Sequence, residues 1–305
     1  MADCTNAVKN KAMRKRQISQ LCGWSLGIFF LCSIPTYAQI STPSQERQQP
    51  QTQQQILQSL VKAKVVYLGE THDRLEDHKA QLEILQALHQ QNPKIAVAME
   101  MFQRPYQDIL DQYLAGKITE AQLVEQTEYE QRWGFPWEYY APILRFAKLH
   151  QLLVLALNTP TEVTRKVARN GLESLTPDER KYIPPLAEIR TDNTDYRKMA
   201  EASYEQHSHA GQGNSKSFER FFTALVLWDE TMADKIAQFI KANPDYQVVV
   251  LAGKSHITYG YGIPSRVARR LNDNQLIQRS VLFSIPDEVP ADGQKAIADY
   301  FWKPQ

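Results

Sequence analysis

Short apolar runs alternate along the chain with longer stretches in which apolar residues recur at helical spacing. The runs are rich in Val, Leu, Ile and Ala, which is typical of strands buried on both faces of a sheet. They predict strands at 65–69, 94–101, 152–157, 247–252 and 276–284. The stretches between them predict helices at 56–63, 76–90, 105–114, 139–150, 161–170, 218–242 and 265–271. Strands that alternate with helices predict an α/β fold, with a mainly parallel central sheet flanked by helices.

One stretch interrupts this alternation. Residues 176–213 are more polar and contain Pro184 and Pro185, so we interpret them as a helical insertion. A segment near 207–217 is expected to be mobile. His207 and His209 form a His-x-His pair in this segment, which is either a metal-binding pair or a solvated loop.

The first 38 residues have the layout of a secretory signal peptide. Five basic residues precede an apolar run at 21–34, and small residues follow up to Ala38, where a signal peptidase cuts. The apolar run is short for a bilayer span, which needs about 20 residues, and an uncleaved anchor is the alternative. A lipid anchor on Cys32 is disfavoured by the bulky residues before it. We therefore expect an exported protein, periplasmic or attached to a membrane on its outer side.

The remaining chain divides into a linker and a domain. Residues 39–54 are rich in Gln, Ser and Pro, which predicts a flexible linker, and 55–305 predict a single α/β domain. All three cysteines precede residue 39, so the exported part has no disulfide. It keeps 30 basic and 33 acidic residues, which argues against a nucleic-acid partner because such proteins present a basic face.

Two predicted strands end in the same short pattern, a Gly-x-x-His turn. Gly69-Glu70-Thr71-His72 follows the first strand, and Gly253-Lys254-Ser255-His256 follows the strand at 247–252. Ligands of parallel sheets bind beyond the carboxyl ends of the strands, so the two turns predict one shared site. The alternative is that Thr71 and Asp73 cap the next helix, that His72 has no role, and that the pattern recurs by chance.

Glu100 adds a carboxylate at the end of the strand at 94–101. A buried carboxylate requires a partner, which is a structural salt bridge, a histidine of the turns or a bound cation. Together, His72, His256, Glu70 and Glu100 predict a site for zinc or manganese. A metal there activates water, so a metal-dependent hydrolase using Glu70 and Glu100 is one functional alternative.

Five motifs in this order resemble the ChaN family of haem-binding lipoproteins. They are Leu68-Gly69-Glu70-Thr71-His72, Ala98-Met99-Glu100-Met101-Phe102-Gln103-Arg104-Pro105, Trp137-Glu138-Tyr139-Tyr140-Ala141-Pro142, Trp228-Asp229-Glu230-Thr231-Met232-Ala233, and Gly253-Lys254-Ser255-His256 through Gly262-Ile263-Pro264. The resemblance implies haem as cofactor or cargo, a homodimer that holds paired haems, and membrane-associated uptake machinery as a partner. It also implies membership of a superfamily with the Tiki proteases, TraB-type proteins and erythromycin esterases. The chain departs from the lipoprotein pattern because it lacks a convincing lipobox.

A haem site needs an axial ligand and an apolar slot. The residues predicted to contact haem are His256, Tyr140, His72, Tyr259, Arg104 and Arg266, the two arginines as partners of the propionates. Trp133 and Trp137 are either part of this slot or part of the core. Asp229 and Glu230 either line the site or face solvent. The sequence thus predicts an exported haem-binding protein in haem or iron uptake, with the metal-dependent hydrolase as the alternative.

Overall fold

The structure is a computed structural model that describes residues 51–209, 217–284 and 295–303, without the side chains of 206–209. The predicted signal peptide at 1–38, most of the linker at 39–54, and the side chains of His207 and His209 lie outside the described residues. In the described ranges, no helix combines the length and the apolar character that a bilayer span requires.

The described strands form one sheet with all neighbouring pairs parallel. They are β1 (Val65–Glu70), β2 (Ile95–Gln103), β3 (Leu153–Asn158), β4 (Gln247–Gly253), β5 (Gln278–Leu282) and β6 (Tyr300–Phe301). Their order across the six-stranded sheet is β3-β2-β4-β1-β5-β6. The predicted α/β fold with a parallel central sheet is confirmed.

Helices connect the strands and cover the sheet. In the described ranges they are α1 (Gln53–Leu60), α2 (Leu75–Gln91), α3 (Gln107–Leu114), α4 (Glu120–Gln126), α5 (Tyr129–Arg132), α6 (Trp137–Leu149), α7 (Thr161–Asn170), α8 (Thr194–His209), α9 (Phe218–Ala242) and α10 (Ile263–Leu271). The predicted helical insertion consists of short 3₁₀ turns followed by α8.

Alternating residues of β4 show why both faces of the sheet are covered. Val249 and Leu251 pack in one core with α1, α2, α3 and α6, whereas Val248 and Val250 pack in a second core with α9 and α10. Each such side chain contributes about 1.5–3 kcal/mol when fully buried. A third apolar cluster joins α7 and α9 to the insertion, which includes α8.

Several boundaries differ from the predicted ones for local reasons. The first helix begins at Gln53, inside the predicted linker, because Thr52 forms a capping box with Gln55. Pro105 lies in a 3₁₀ turn before α3. The strand predicted at 276–284 is shorter, at Gln278–Leu282, and another strand, Tyr300–Phe301, pairs with it.

The register of β1 and β4 brings the two Gly-x-x-His turns side by side. Glu70 is paired with Gly253, and Gly69 with Ala252. β2 lies on the other side of β4. The strand ends that carry Glu70, Glu100 and Gly253 are therefore neighbours, as the two similar turns predict.

Candidate functional site

The carboxyl ends of the central strands open into a cleft of about 1160 Å³, which α7, α8 and α9 close from the side. This volume slightly exceeds the roughly 300–1,000 Å³ that is usual for small-molecule sites. Most of the large side chains that line it are aromatic or otherwise apolar. They include Met101, Trp133, Phe135, Met199, Tyr204, Phe221, Leu225, Trp228 and Tyr259.

His72 stands on the floor of this cleft with one ring nitrogen already engaged. Its Nδ1 lies 2.8 Å from Glu70 Oε1, and its side chain remains 28% exposed. Trp133 and Phe135 contact the ring, each with a centroid distance of 4.9 Å. The Glu70 contact fixes the orientation of the ring at the cleft.

Glu70 is buried behind His72 and does not line the cleft. The Tyr140 hydroxyl donates to Glu70 Oε1 at 2.6 Å, and Gln81 Nε2 donates to Oε2 at 2.7 Å. His78 supports the same turn, with Nε2 3.0 Å from the His72 carbonyl oxygen. These contacts fix the carboxylate from the side of the protein core.

Glu100 and His256 form a second, buried pair beside the first. The Gly253 N–H donates to Glu100 Oε2 at 2.7 Å, and His256 Nε2 lies 3.4 Å from Oε1. On its other side, His256 Nδ1 lies 2.7 Å from Asp229 Oδ1. Asp229 Oδ2 in turn accepts the Tyr196 hydroxyl at 2.5 Å, so a continuous chain of contacts joins β2 to α8.

Burial and the neighbouring charges shift the pKa values of His72, His256 and Glu100 in opposite directions. Burial alone lowers the pKa of His72, but Glu70 and Glu100 outweigh it and raise the pKa. Burial likewise disfavours charge on His256, yet Glu100 and Asp229 raise its pKa to about 10. Burial raises the pKa of Glu100, but His256, His72 and the Gly253 N–H together lower it to about 2. His256 and Glu100 are therefore both charged near pH 7.

With this geometry in place, the sequence profile described as haem-binding uptake, Tiki superfamily, ChaN matches residues 56–267. That match covers well over half of the chain. The chain belongs to the ChaN family.

Campylobacter jejuni ChaN, described as binding haem cofacially, superposes with a TM-score of 0.59 at 20% identity, over 82% of this chain and 91% of that chain. At this identity the likeness shows a shared fold. The erythromycin esterase EreC has a TM-score of 0.44 at 16% identity, over 80% of this chain and 77% of that one.

A plant protein also resembles this ChaN-family chain. The chloroplastic protein RETICULATA-RELATED 5 of Arabidopsis thaliana is 25% identical over 262 residues. The match covers 81% of this chain but 35% of the plant protein, so the chain spans just over a third of that relative's length.

Arg104 and Arg266, predicted as propionate partners, do not line the cleft of this ChaN-family chain. Arg104 Nη2 donates to Asp234 Oδ2 at 2.8 Å. Arg266 is buried, and its Nε lies 3.3 Å from Glu230 Oε1. Both arginines are therefore engaged by acidic residues of α9, Arg266 in a buried pair and Arg104 in a partly buried one. The place of a residue after a strand does not reveal these contacts between distant parts of the chain.

Cationic side chains that were not predicted do line the cleft. Arg165 of α7 and Lys254 of the second turn line the cleft and are exposed. Arg132 also lines it, but pairs with Glu128 and Glu162. Arg165 is missing from the sequence prediction, although its place one turn into the helix after β3 is a usable signal.

Tyr140 is also placed differently from the prediction. It is fully buried and does not line the cleft, and burial together with Glu70 raises its pKa far above the usual value. Its hydroxyl hydrogen-bonds Glu70 and does not reach the cleft, where the predicted haem contact would require it. Tyr259, a predicted haem contact, lines the cleft, and so does Tyr204 of α8, which was not predicted.

The structure also places the two tryptophans and the two acidic residues of α9 for which alternatives were left open. Trp133 faces the cleft beside His72, whereas Trp137 packs in the core against Tyr129 at 5.0 Å. Asp229 and Glu230 are both fully buried, so neither lies on a solvated face.

The predicted cluster of His72, His256, Glu70 and Glu100 is not assembled as a metal site. In the described ranges, no group of three or more His, Cys, Asp or Glu side chains is arranged to hold a metal ion. The reason is the pairing described above: Glu70 holds His72, and His256 lies between Asp229 and Glu100. The zinc or manganese alternative therefore has no support from the donor geometry.

Proposed function

We propose that this protein is exported and binds haem in the cleft, in haem or iron uptake or handling. The observation that carries the proposal is His72, whose Nδ1 is held by Glu70 while the ring keeps 28% exposure between Trp133 and Phe135. A fixed imidazole nitrogen at an aromatic slot is what an axial ligand of haem iron requires.

The rest of the cleft fits the same ligand. Phe221, Leu225 and Met199 supply an apolar wall for the macrocycle. Arg165 and Lys254 supply positive charge for the two propionates, and guanidinium pairs with carboxylate in a bidentate manner. When bound, haem would supply the iron, and these residues would hold, orient and shield it.

Export and self-association complete the proposal. The basic, apolar and small-residue order of 1–38 supports export across a membrane, with 39–54 as a linker to the domain. The cofacial haem binding of the Campylobacter jejuni relative supports a homodimer in which two copies place their haems face to face. Membrane-associated uptake machinery is the proposed partner that delivers or receives the haem.

The test is a haemin titration of the full chain, followed by its Soret absorption. We expect a shifted Soret band with saturable binding, and at least a tenfold weaker affinity in His72→Ala. His89→Ala is the matched control, because His89 is a partly buried imidazole on α2 that does not line the cleft, and it should bind as the wild type does.

Two further measurements test export and self-association. N-terminal sequencing of exported protein should begin at Gln39, and light scattering should show haem-dependent dimers. A flat absorption titration contradicts haem binding, and an unprocessed N-terminus contradicts a cleaved signal.

A further inference from the structure

β3 is the outermost strand on one side of the sheet, so one of its edges has no neighbouring strand within the described ranges. Such an edge presents backbone N–H and C=O groups that can pair with a strand of another chain. β3 is apolar up to its last residue, Asn158, and Leu153 at its start is 41% exposed. The edge therefore combines free backbone groups with an apolar sequence, and both favour strand pairing.

The side chain of Gln107 covers the middle of this edge. Its Nε2 donates to the Val154 carbonyl oxygen at 2.8 Å, and its Oε1 accepts from the Ala156 N–H at 2.8 Å. In a parallel pair of strands, a single residue of the neighbouring strand makes these two contacts through its own N–H and C=O. The Gln107 amide thus repeats the hydrogen bonding of one strand residue.

The helix that begins at Gln107 holds this amide in place. Leu110 and Tyr113 of α3 are buried in the core. Nε2 of Gln107 also donates to Asp111 Oδ1, one turn along α3, at 2.9 Å. Both partners of Nε2 are acceptors and the partner of Oε1 is a donor, so the chemistry of the contacts fixes the orientation of the amide.

We propose that Gln107 acts as a surrogate for a neighbouring strand and keeps two copies of this chain from pairing through β3. A second copy is the partner that fits the uncovered edge, because two identical edges related by a twofold axis run antiparallel and match each other. Gln107, Val154 and Ala156 do not line the cleft. The inference therefore does not depend on haem binding.

The test compares the haem-free full chain with its Gln107→Met variant by amide hydrogen exchange and by light scattering. Methionine keeps an unbranched side chain of similar length and removes both hydrogen bonds to β3. At low protein concentration, the Ala156 amide of the variant should exchange at least about tenfold faster than in the wild type, because its local protection is lost. At high concentration, the variant should form dimers while the wild type stays monomeric.

Two internal comparisons accompany this variant. Gln112→Met is the matched control, because Gln112 is a half-buried glutamine of the same helix whose side chain makes none of these contacts with β3, and it should behave as the wild type does. The Leu155 amide points towards β2, since N–H groups alternate in direction along a strand. Its exchange in Gln107→Met should keep the wild-type rate.

A second substitution tests whether the dimers form through β3. Leu153→Lys places a charge at the exposed start of the edge, where lysine opposes strand pairing. Combined with Gln107→Met, it should return the protein to a monomer while the Ala156 amide continues to exchange rapidly. Dimers that persist in the double variant contradict pairing through this edge.

The other outcomes are equally decisive. Unchanged exchange of the Ala156 amide in Gln107→Met, or faster exchange without dimers at high concentration, overturns the proposal. Equal acceleration at Ala156 and Leu155 also contradicts it, because the strand is then unfolding as a whole. If Gln107→Met does not fold, the wild type decides: an Ala156 amide that exchanges as fast as an exposed loop amide excludes the surrogate strand, and a protected one supports it.

Discussion

At Gly253 the absence of a side chain leaves space for the imidazole of His72. A Cβ built at this position would lie 2.7 Å from His72 Nε2 and 2.9 Å from Cε1. The backbone of Gly253 has φ −55° and ψ 138°, which any residue adopts. Glycine is therefore required here for the close approach of a ring and not for an unusual turn.

Gly253→Ala should therefore disturb the ligand site more than the fold. The new methyl group displaces the His72 ring, so we expect haemin affinity to fall at least tenfold with a small change in melting temperature. The measurement is a Soret titration beside a thermal melt.

Gly69→Ala serves as the comparison. A Cβ there would clash with the side chain of Leu282 and lie 3.3 Å from Lys254 Cα, and it would not meet the His72 ring. It should lower the melting temperature and spare the affinity of the protein that stays folded. Equal loss of affinity in both variants would contradict a specific role of Gly253.

Individual residues differ in how well the sequence predicts them. His72, Glu70 and Glu100 were predictable because a polar residue at the end of an apolar strand of a parallel sheet has a known position. Arg104 was not, because it lies beyond the end of β2 and turns to Asp234 on α9, a contact between distant parts of the chain. Tyr140 lies in an aromatic segment that the sequence predicts as a ligand site. The position of a residue along a helix does not show whether its buried hydroxyl contacts a ligand or a carboxylate.

At the scale of elements, a buried ion network fastens α10 to α9. Glu230 on α9 is fully buried and lies among Arg266, Arg269 and Arg270 of α10. Arg269 Nη2 is 2.6 Å from Glu230 Oε2. Removing one partner of a buried pair leaves uncompensated charge, which costs far more than the loss of an exposed pair.

Glu230→Gln should consequently lower the free energy of unfolding by about 3–5 kcal/mol. Urea denaturation followed by circular dichroism measures this change. Glu162→Gln breaks an exposed pair with Arg132 and should cost about 0.2–1 kcal/mol. Similar losses in the two variants would show that the α9–α10 network does not stabilise the fold.

The sequence predicted an element better when its apolar or amphipathic pattern was longer. β1 to β4 are continuous apolar runs, and α9 is a long amphipathic helix, so their types were readable from the sequence. β6 has two residues and α5 has four, too few for any periodicity. Those elements exist because the surrounding structure holds them, and no local signal in the sequence marks them.

For the whole molecule, the buried charges beside the cleft make stability depend on pH. The pKa of His256 is raised from 6.5 to about 10 by Glu100 and Asp229, against the effect of burial. A raised histidine pKa stabilises the folded state fully below pH 6.5, and this contribution is lost as the pH rises towards 10.

The melting temperature should therefore fall between pH 6.5 and pH 10 by an amount that depends on His256. His256→Asn should be less stable at neutral pH and should lose this part of the alkaline decline. His89→Asn should retain it, because the pKa of His89 is lowered by burial and by His150. Parallel pH profiles for the wild type and His256→Asn would contradict the assignment.

The strand ends form one part of the cleft and the helices facing them form another, and this division has an evolutionary consequence. Glu70, His72 and Glu100 come from strand ends and their turns, whereas much of the facing wall comes from α7, α8 and the start of α9. Sequence drift in that wall can reshape the accepted ligand while the strand ends keep their chemistry. The ligand that such a cleft accepts can thereby change while the sheet stays the same, and Tyr196 of α8, hydrogen-bonded to Asp229, is the contact that ties this wall to the strand ends.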